Sequence, residues 1–182
     1  MLKVSDNPPM LPPTAQNLRD LSGQWWVAHT RARFEKAFAW DLLERGIGFF
    51  LPMVERVTVS GGKKRRVFMP LFSSYVFLCG TAEQRQEALR TNRLCQTIEV
   101  ADQEGLVCEL TSIECAIRAN MQLSPYPQAA VGQRCRIIAG ALTGLEGVVI
   151  QQARRARVVL EVQMLGQGAV IEVDADILER ID

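Results

Sequence analysis

At 182 residues the chain has room for one ordinary domain or two small ones, each with a buried core. A hydrophobic fraction of 48% and a charged fraction of 23% are those of a soluble globular protein, and they exclude a low-complexity or fibrous chain. A net charge of +1 excludes a molecule that holds nucleic acid by bulk charge, so any such role must come from a local patch.

The first stretch, residues 1–22, carries four prolines and no apolar run, and is expected to be a disordered lead-in, neither signal peptide nor membrane helix. Order is expected to begin at "QWWVAHT", where Trp25, Val27 and His29 alternate with Trp26 and Ala28 as in a strand buried on both faces. In "RARFEKAFAWDLLERG", Phe34, Ala37, Phe38 and Leu42 recur at helical spacing, and Gly46 stands where a helix-ending glycine belongs. "FFLPMVERVTV" and "RRVFMPLFSSYVFLC" then flank "SGGKKR", which reads as a hairpin loop. Thr81 with Gln84, and Thr111 with Glu114, have capping-box spacing and predict two helix starts, with "QTIEVA" a short strand between them. The order β-α-β-β-α-β-α implies an α+β sandwich, helices over an antiparallel sheet, spanning residues 23–121.

Residues 122–130, "QLSPYPQAA", read as a linker, because two prolines bias the chain toward extended backbone. From 131 to 182 the texture is all-β: "RCRII", "GVVIQQ", "RVVLEVQM" and "AVIEV" are short, evenly spaced strands that predict a small closed five-stranded barrel.

Catalytic constellations are absent. His29 is the only imidazole and lies in an apolar strand, and no nucleophile elbow, Walker A or dinucleotide-binding glycine pattern occurs. Five cysteines include no C-x-x-C pair and no neighbouring histidine, so buried free thiols are expected and no metal or cofactor is implied. The chain reads as a non-enzymatic, cytoplasmic monomer without membrane attachment.

Two motifs are more specific. "VGQRCRIIAGALTGLEGVVIQQ", with Gly140 and Gly147 bracketing its loop, resembles the KOW motif of small SH3-like barrels. "WWVAHTRARFEKAFAWDLLERGI" followed by "MPLFSSYVFL" resembles the N-terminal domain of the NusG family of transcription elongation factors, and is similar above all to its operon-specific RfaH-like branch. Both resemblances stand in the family's order and cover about residues 24–182. They imply a factor that binds RNA polymerase through its first domain and suppresses pausing or termination, with the KOW barrel recruiting a second partner.

The resemblance also assigns residues. His29, Phe72, Tyr75 and Phe77 match an aromatic pocket that docks the clamp helices of the polymerase β′ subunit. Arg31, Arg33, Lys36 and Arg93 fall where RfaH-like proteins read the non-template DNA strand. Lys63, Lys64, Arg65 and Arg66 would add contacts to DNA or nascent RNA, although a solvated hairpin tip has the same composition. Leu145 takes the place of a loop aromatic that contacts a ribosomal small-subunit protein or Rho. Where the branch carries a His-Thr-Thr run toward the polymerase β subunit, this chain has Gln86, Glu87 and Ala88. Without the family, Tyr75-x-Phe77 also imitates the stacking pair of an RNA-recognition motif, but lacks its Lys/Arg-Gly lead-in. The competing function is a ribosome-associated or mRNA-binding KOW protein that makes no polymerase contact.

Overall fold

The computed structural model describes residues 7–181, apart from the side chain of Ser60. The chain divides into two compact units, Met1–Gln103 and Glu104–Asp182. The architecture is α+β, with antiparallel sheets in both units.

In the first unit, β1 (Gln24–Thr30), β2 (Gly48–Phe50), β5 (Tyr75–Gly80) and β6 (Leu94–Glu99) form a sheet in the order β2-β5-β1-β6. The helices of this unit are α1 (Glu35–Glu44) and α2 (Ala82–Leu89). Trp26 and Ala28 of β1, with Val76 and Leu78 of β5, share one face, because Trp26 pairs with Leu78 and Ala28 with Val76. That face packs with Phe38, Ala39 and Leu42 of α1 and with Ala88 of α2 into one buried cluster. The Thr81 capping box forms as expected: the Thr81 hydroxyl accepts from Gln84 N–H while Gln84 Oε1 accepts from Thr81 N–H at 2.9 Å.

The expected long hairpin is divided in two. β3 (Met53–Ser60) and β4 (Lys63–Pro70) pair only with each other, as a two-stranded ribbon. β5 starts afresh after a turn in which Ser74 has φ 67°. The buried Glu35 carboxylate accepts the Ser74 N–H at 2.6 Å, and Leu71 N–H donates to Pro52 O at 2.8 Å to close the ribbon's base.

The lead-in is a correction. Residues 1–6 lie outside the described residues, but residues 7–22 are laid down on the first unit. Leu18 is fully buried, and Met10 packs against the sheet–helix cluster while its carbonyl accepts from Leu51 N–H at 2.8 Å. A turn of 3-10 helix at Leu18–Asp20 is closed by Asn17 and Asp20 in a reciprocal capping box. Prolines fix the backbone in advance, so an apolar side chain every several residues suffices to dock this segment.

A second correction concerns the last helix of the expected sandwich. α3 (Gln103–Arg118) begins eight residues before the Thr111 signal. Thr111 sits inside the helix, its hydroxyl donating to Val107 O at 2.6 Å, and Glu114 is buried and paired with Arg118 at 2.8 Å. The start is held instead by Gln103, whose amide accepts from Trp25 N–H at 2.7 Å and donates to Trp25 O at 2.9 Å.

The second unit carries a six-stranded sheet in the order β12-β8-β9-β10-β11-β7. Its strands are β7 (Ser124–Tyr126), β8 (Gln133–Ile137), β9 (Glu146–Gln151), β10 (Arg155–Val162), β11 (Gln167–Asp174) and β12 (Leu178–Arg180). Four of them, β8 to β11, are the strands read from the sequence, and β12, which pairs with β8, makes the expected number of five. The sixth, β7, comes from the stretch read as a linker and pairs with β11 at Val170↔Ser124 and Gly168↔Tyr126.

The five cysteines are free, but against the expectation of buried thiols Cys95 and Cys108 are exposed and Cys115 is half-buried. Cys79 and Cys135 are buried, and burial pushes the Cys79 thiol up to about 11 and the Cys135 thiol upward as well. Because the thiolate is the reactive form, iodoacetamide at about pH 8 is expected to label exposed Cys95 and Cys108 in the native protein, and Cys79 and Cys135 only after denaturation. Peptide mass spectrometry reads the outcome, and native labelling of Cys79 would contradict this packing.

Candidate functional site: an aromatic face beside basic loops

Strand alternation sends Tyr75, Phe77 and Cys79 to the face opposite α1, and the register Trp25↔Cys79, Val27↔Phe77, His29↔Tyr75 joins β1 to them. The four sequence-assigned aromatics therefore gather on one side of the sheet as two separate pairs, in two tiers of burial. Phe72 and Phe77 are sealed, at 1% and 0% exposure, and meet edge to face with centroids 6.0 Å apart. Phe50 adds a third ring 6.3 Å from Phe77. Tyr75 and His29 are half-buried and stack at 5.1 Å with 25° between planes. The inner rings are a floor, and the Tyr75–His29 stack is the accessible part. Exposed Gln96 of β6, paired with His29, borders the stack, and strand register is the signal that could have found it.

The basic residues also separate. Arg31 and Arg33 are exposed on the loop between β1 and α1, and Arg33 holds φ 68°, a left-handed conformation that a bulky residue adopts at a cost. Arg93 is committed locally: its Nε donates to Asp41 Oδ2 at 2.9 Å, its guanidinium lies 5.3 Å over the Phe34 ring, and its carbonyl accepts from Arg31 N–H at 2.9 Å. It shapes the loop that presents Arg31. Lys36 is committed too. Its Nζ donates to Phe68 O at 2.5 Å and Asn7 Oδ1 at 2.6 Å, and burial lowers its pKa. Lys36 ties α1 to the ribbon and to the N-terminal segment. Lys63, Lys64, Arg65 and Arg66 all lie exposed on β4, with Arg66 3.6 Å from Glu55. On α2, Gln86 and Glu87 are exposed whereas Ala88 is fully buried, so that segment offers a partner two polar side chains and no third contact.

In the second unit the loop 138–145 turns on Gly140 and Gly144, at φ +85° and +90°. Leu142 is buried beneath it and Leu145 is half-buried, its carbonyl accepting from Ile137 N–H at 2.9 Å. Gly147 serves another purpose: a Cβ there would stand 2.6 Å from both Val159 O and Val158 Cγ1. Backbone cannot retreat as a side chain does, so Gly147→Ala is expected to cost roughly 1–3 kcal/mol by overpacking. Urea unfolding of the second unit measures it, and an unchanged midpoint would show that β9 and β10 separate freely. Among the described residues no group of side chains is suited to hold a metal ion, and no helix is long and apolar enough to cross a membrane.

Residues 23–107 match the family model described as transcription termination factor nusG. Among solved structures, one described as domain interaction in Thermotoga maritima NusG aligns over 87% of this chain and 97% of that chain, at 16% identity and a TM-score of 0.51, a likeness of fold alone. A structure described as an MjSpt4:Spt5 complex aligns over the same shares at 16% identity, but its TM-score of 0.24 carries no weight. No curated protein matches the chain.

Proposed function

From the match of residues 23–107 to the NusG family model we propose that the chain is a transcription elongation and antitermination factor of the RfaH-like, operon-specific kind. The first unit docks on the β′ clamp helices of RNA polymerase and suppresses pausing or termination. The observation that carries this reading is the half-exposed Tyr75–His29 stack on a sealed floor of Phe72, Phe77 and Phe50. A rigid aromatic pair offers a helix a large apolar contact at small entropic cost, which is how helix-in-groove recognition is anchored.

Exposed Arg31 and Arg33 beside that face contact the non-template strand, with Arg93 as their support, and the ribbon cations add affinity for DNA or nascent RNA. The second unit is a KOW barrel that recruits a further protein, a ribosomal small-subunit protein or Rho, through the loop holding Gly140 and Leu145. Strands β9, β10 and β11 are rich in β-branched residues and each pairs on both sides, which favours a permanent barrel. Gln86 and Glu87 make any contact to the polymerase β subunit polar.

The test is affinity capture of the tagged full chain from native extract, scored for polymerase subunits against ribosomal proteins. Co-purification of β and β′ supports the reading. Ribosomal proteins without polymerase would replace it with a ribosome-bound KOW protein.

A further inference from the structure

The β3–β4 ribbon is the most strongly charged part of the chain. Residues 53–70 hold Arg56, Lys63, Lys64, Arg65 and Arg66 against the single carboxylate of Glu55, a net of +4 in a chain whose total is +1. The register decides where these charges point. Arg56 pairs with Val67 and Thr58 with Arg65, which puts Arg56, Arg65 and Lys63 on one face. Val57 pairs with Arg66, Val59 with Lys64 and Glu55 with Phe68, which puts Arg66 and Lys64 on the other face together with Val57, Val59 and Phe68. Both faces are open: all five cations are exposed, and Val57 and Val59 keep 60% and 67% of their surface.

A platform for one nucleic-acid strand needs a single cationic face with a row of rings on which bases stack. This ribbon has neither: its charges are divided between two faces, and its one aromatic, Phe68, sits at the base. Charges on both faces of a thin two-stranded ribbon match a site with phosphates on both sides, which is a groove of a double helix. The major groove of B-form DNA, about 12 Å wide, admits a two-stranded ribbon, and its thymine methyl groups offer apolar contact to side chains such as Val57 and Val59. A-form RNA has a major groove too deep and narrow for side chains to read.

We propose that the β3–β4 ribbon is an arm that enters the groove of double-stranded DNA, with Arg56, Lys63 and Arg65 facing one phosphate wall and Lys64 and Arg66 the other. The arm is held at its root. Met53, Val54 and Leu71 are buried, and Lys36 fastens the Phe68 carbonyl to α1. This deepens the nucleic-acid part of the function proposed above and does not depend on polymerase docking.

Fluorescence anisotropy of the full chain tests it, with a labelled 20-base-pair DNA duplex, either strand alone, and the same duplex as RNA, each titrated over a range of salt. Duplex DNA is expected to bind at least ten-fold tighter than single strand or RNA duplex, with log Kd rising linearly in log salt. Lys63→Gln with Arg65→Gln, and separately Lys64→Gln with Arg66→Gln, should each reduce that slope by about two, since each phosphate contact contributes about 0.9. All four side chains are exposed, so the variants should fold, which circular dichroism confirms.

Equal affinity for single strands, or a slope that responds to only one pair, overturns the groove arm while leaving Arg31 and Arg33 as strand readers. No binding to any nucleic acid defeats this proposal and the nucleic-acid part of the proposed function together. An acidic protein that binds the ribbon while duplex DNA does not would reassign the ribbon to a protein partner.

Discussion

Phe77→Ala is expected to remove the first unit's fold rather than its partner. The ring is fully buried, meets Phe72 edge to face and Phe50 at a tilt, and lies on a central strand paired to both β1 and β2. Truncating such a phenylalanine costs roughly 3–5 kcal/mol, from lost burial and the cavity left among rings that cannot collapse. In a unit of this size that lowers the midpoint of thermal unfolding by roughly 15 °C or more. Circular dichroism melting measures it. A change of a few degrees would show that the floor repacks, and would restore Phe77 as a candidate for direct contact.

Tyr75→Ala separates docking from folding. Tyr75 is half-exposed, so its removal opens no sealed cavity, and the loss of its stack on His29 is expected to cost about 1 kcal/mol of stability. If the stack anchors a clamp helix, the same change should cost about 2 kcal/mol or more of binding, close to a thirty-fold rise in Kd for core polymerase. Surface plasmon resonance against purified polymerase supplies that number, with melting as the control. Undiminished affinity in a folded variant would refute the docking assignment. His29→Ala should follow the same direction with a smaller effect.

The contrast between these two variants shows where the sequence was legible and where it was not. Period-two alternation in "SYVFL" puts Tyr75 and Phe77 on one face, and the β1–β5 register confirms it. Alternation says nothing of depth along the strand, so one ring reads like the other until the neighbours Phe50 and Phe72 are placed. The ribbon's turn and strands β8 to β11 were legible because glycine turns and β-branched runs act locally, whereas β7, read as linker, is made a strand only by its pairing with β11. Ala88 and Lys36 were not, since each is defined by tertiary contact: Ala88 enters the core cluster, and Lys36 reaches a carbonyl 32 residues away. Thr111 and Glu114 gave a false start for a related reason. Capping spacing occurs within helices too, and the true start is set by Gln103 bonding to Trp25, 78 residues distant in sequence.

The ordering of residues 7–22 separates the homology boundary from the folding boundary. The family match starts at residue 23, but residues before it dock on the first unit, where Met10 O takes up Leu51 N–H directly after the edge strand β2. A protein cut to begin at Gln24 would lose the buried Leu18, the Met10 carbonyl that takes up Leu51 N–H, and the Asn7 amide that shares Lys36 with the ribbon. It would expose apolar surface and an unpaired Leu51 N–H directly after edge strand β2, an invitation to pair with another copy. Self-association in such a truncated form would then reflect the missing cover, not the oligomeric state of the native chain.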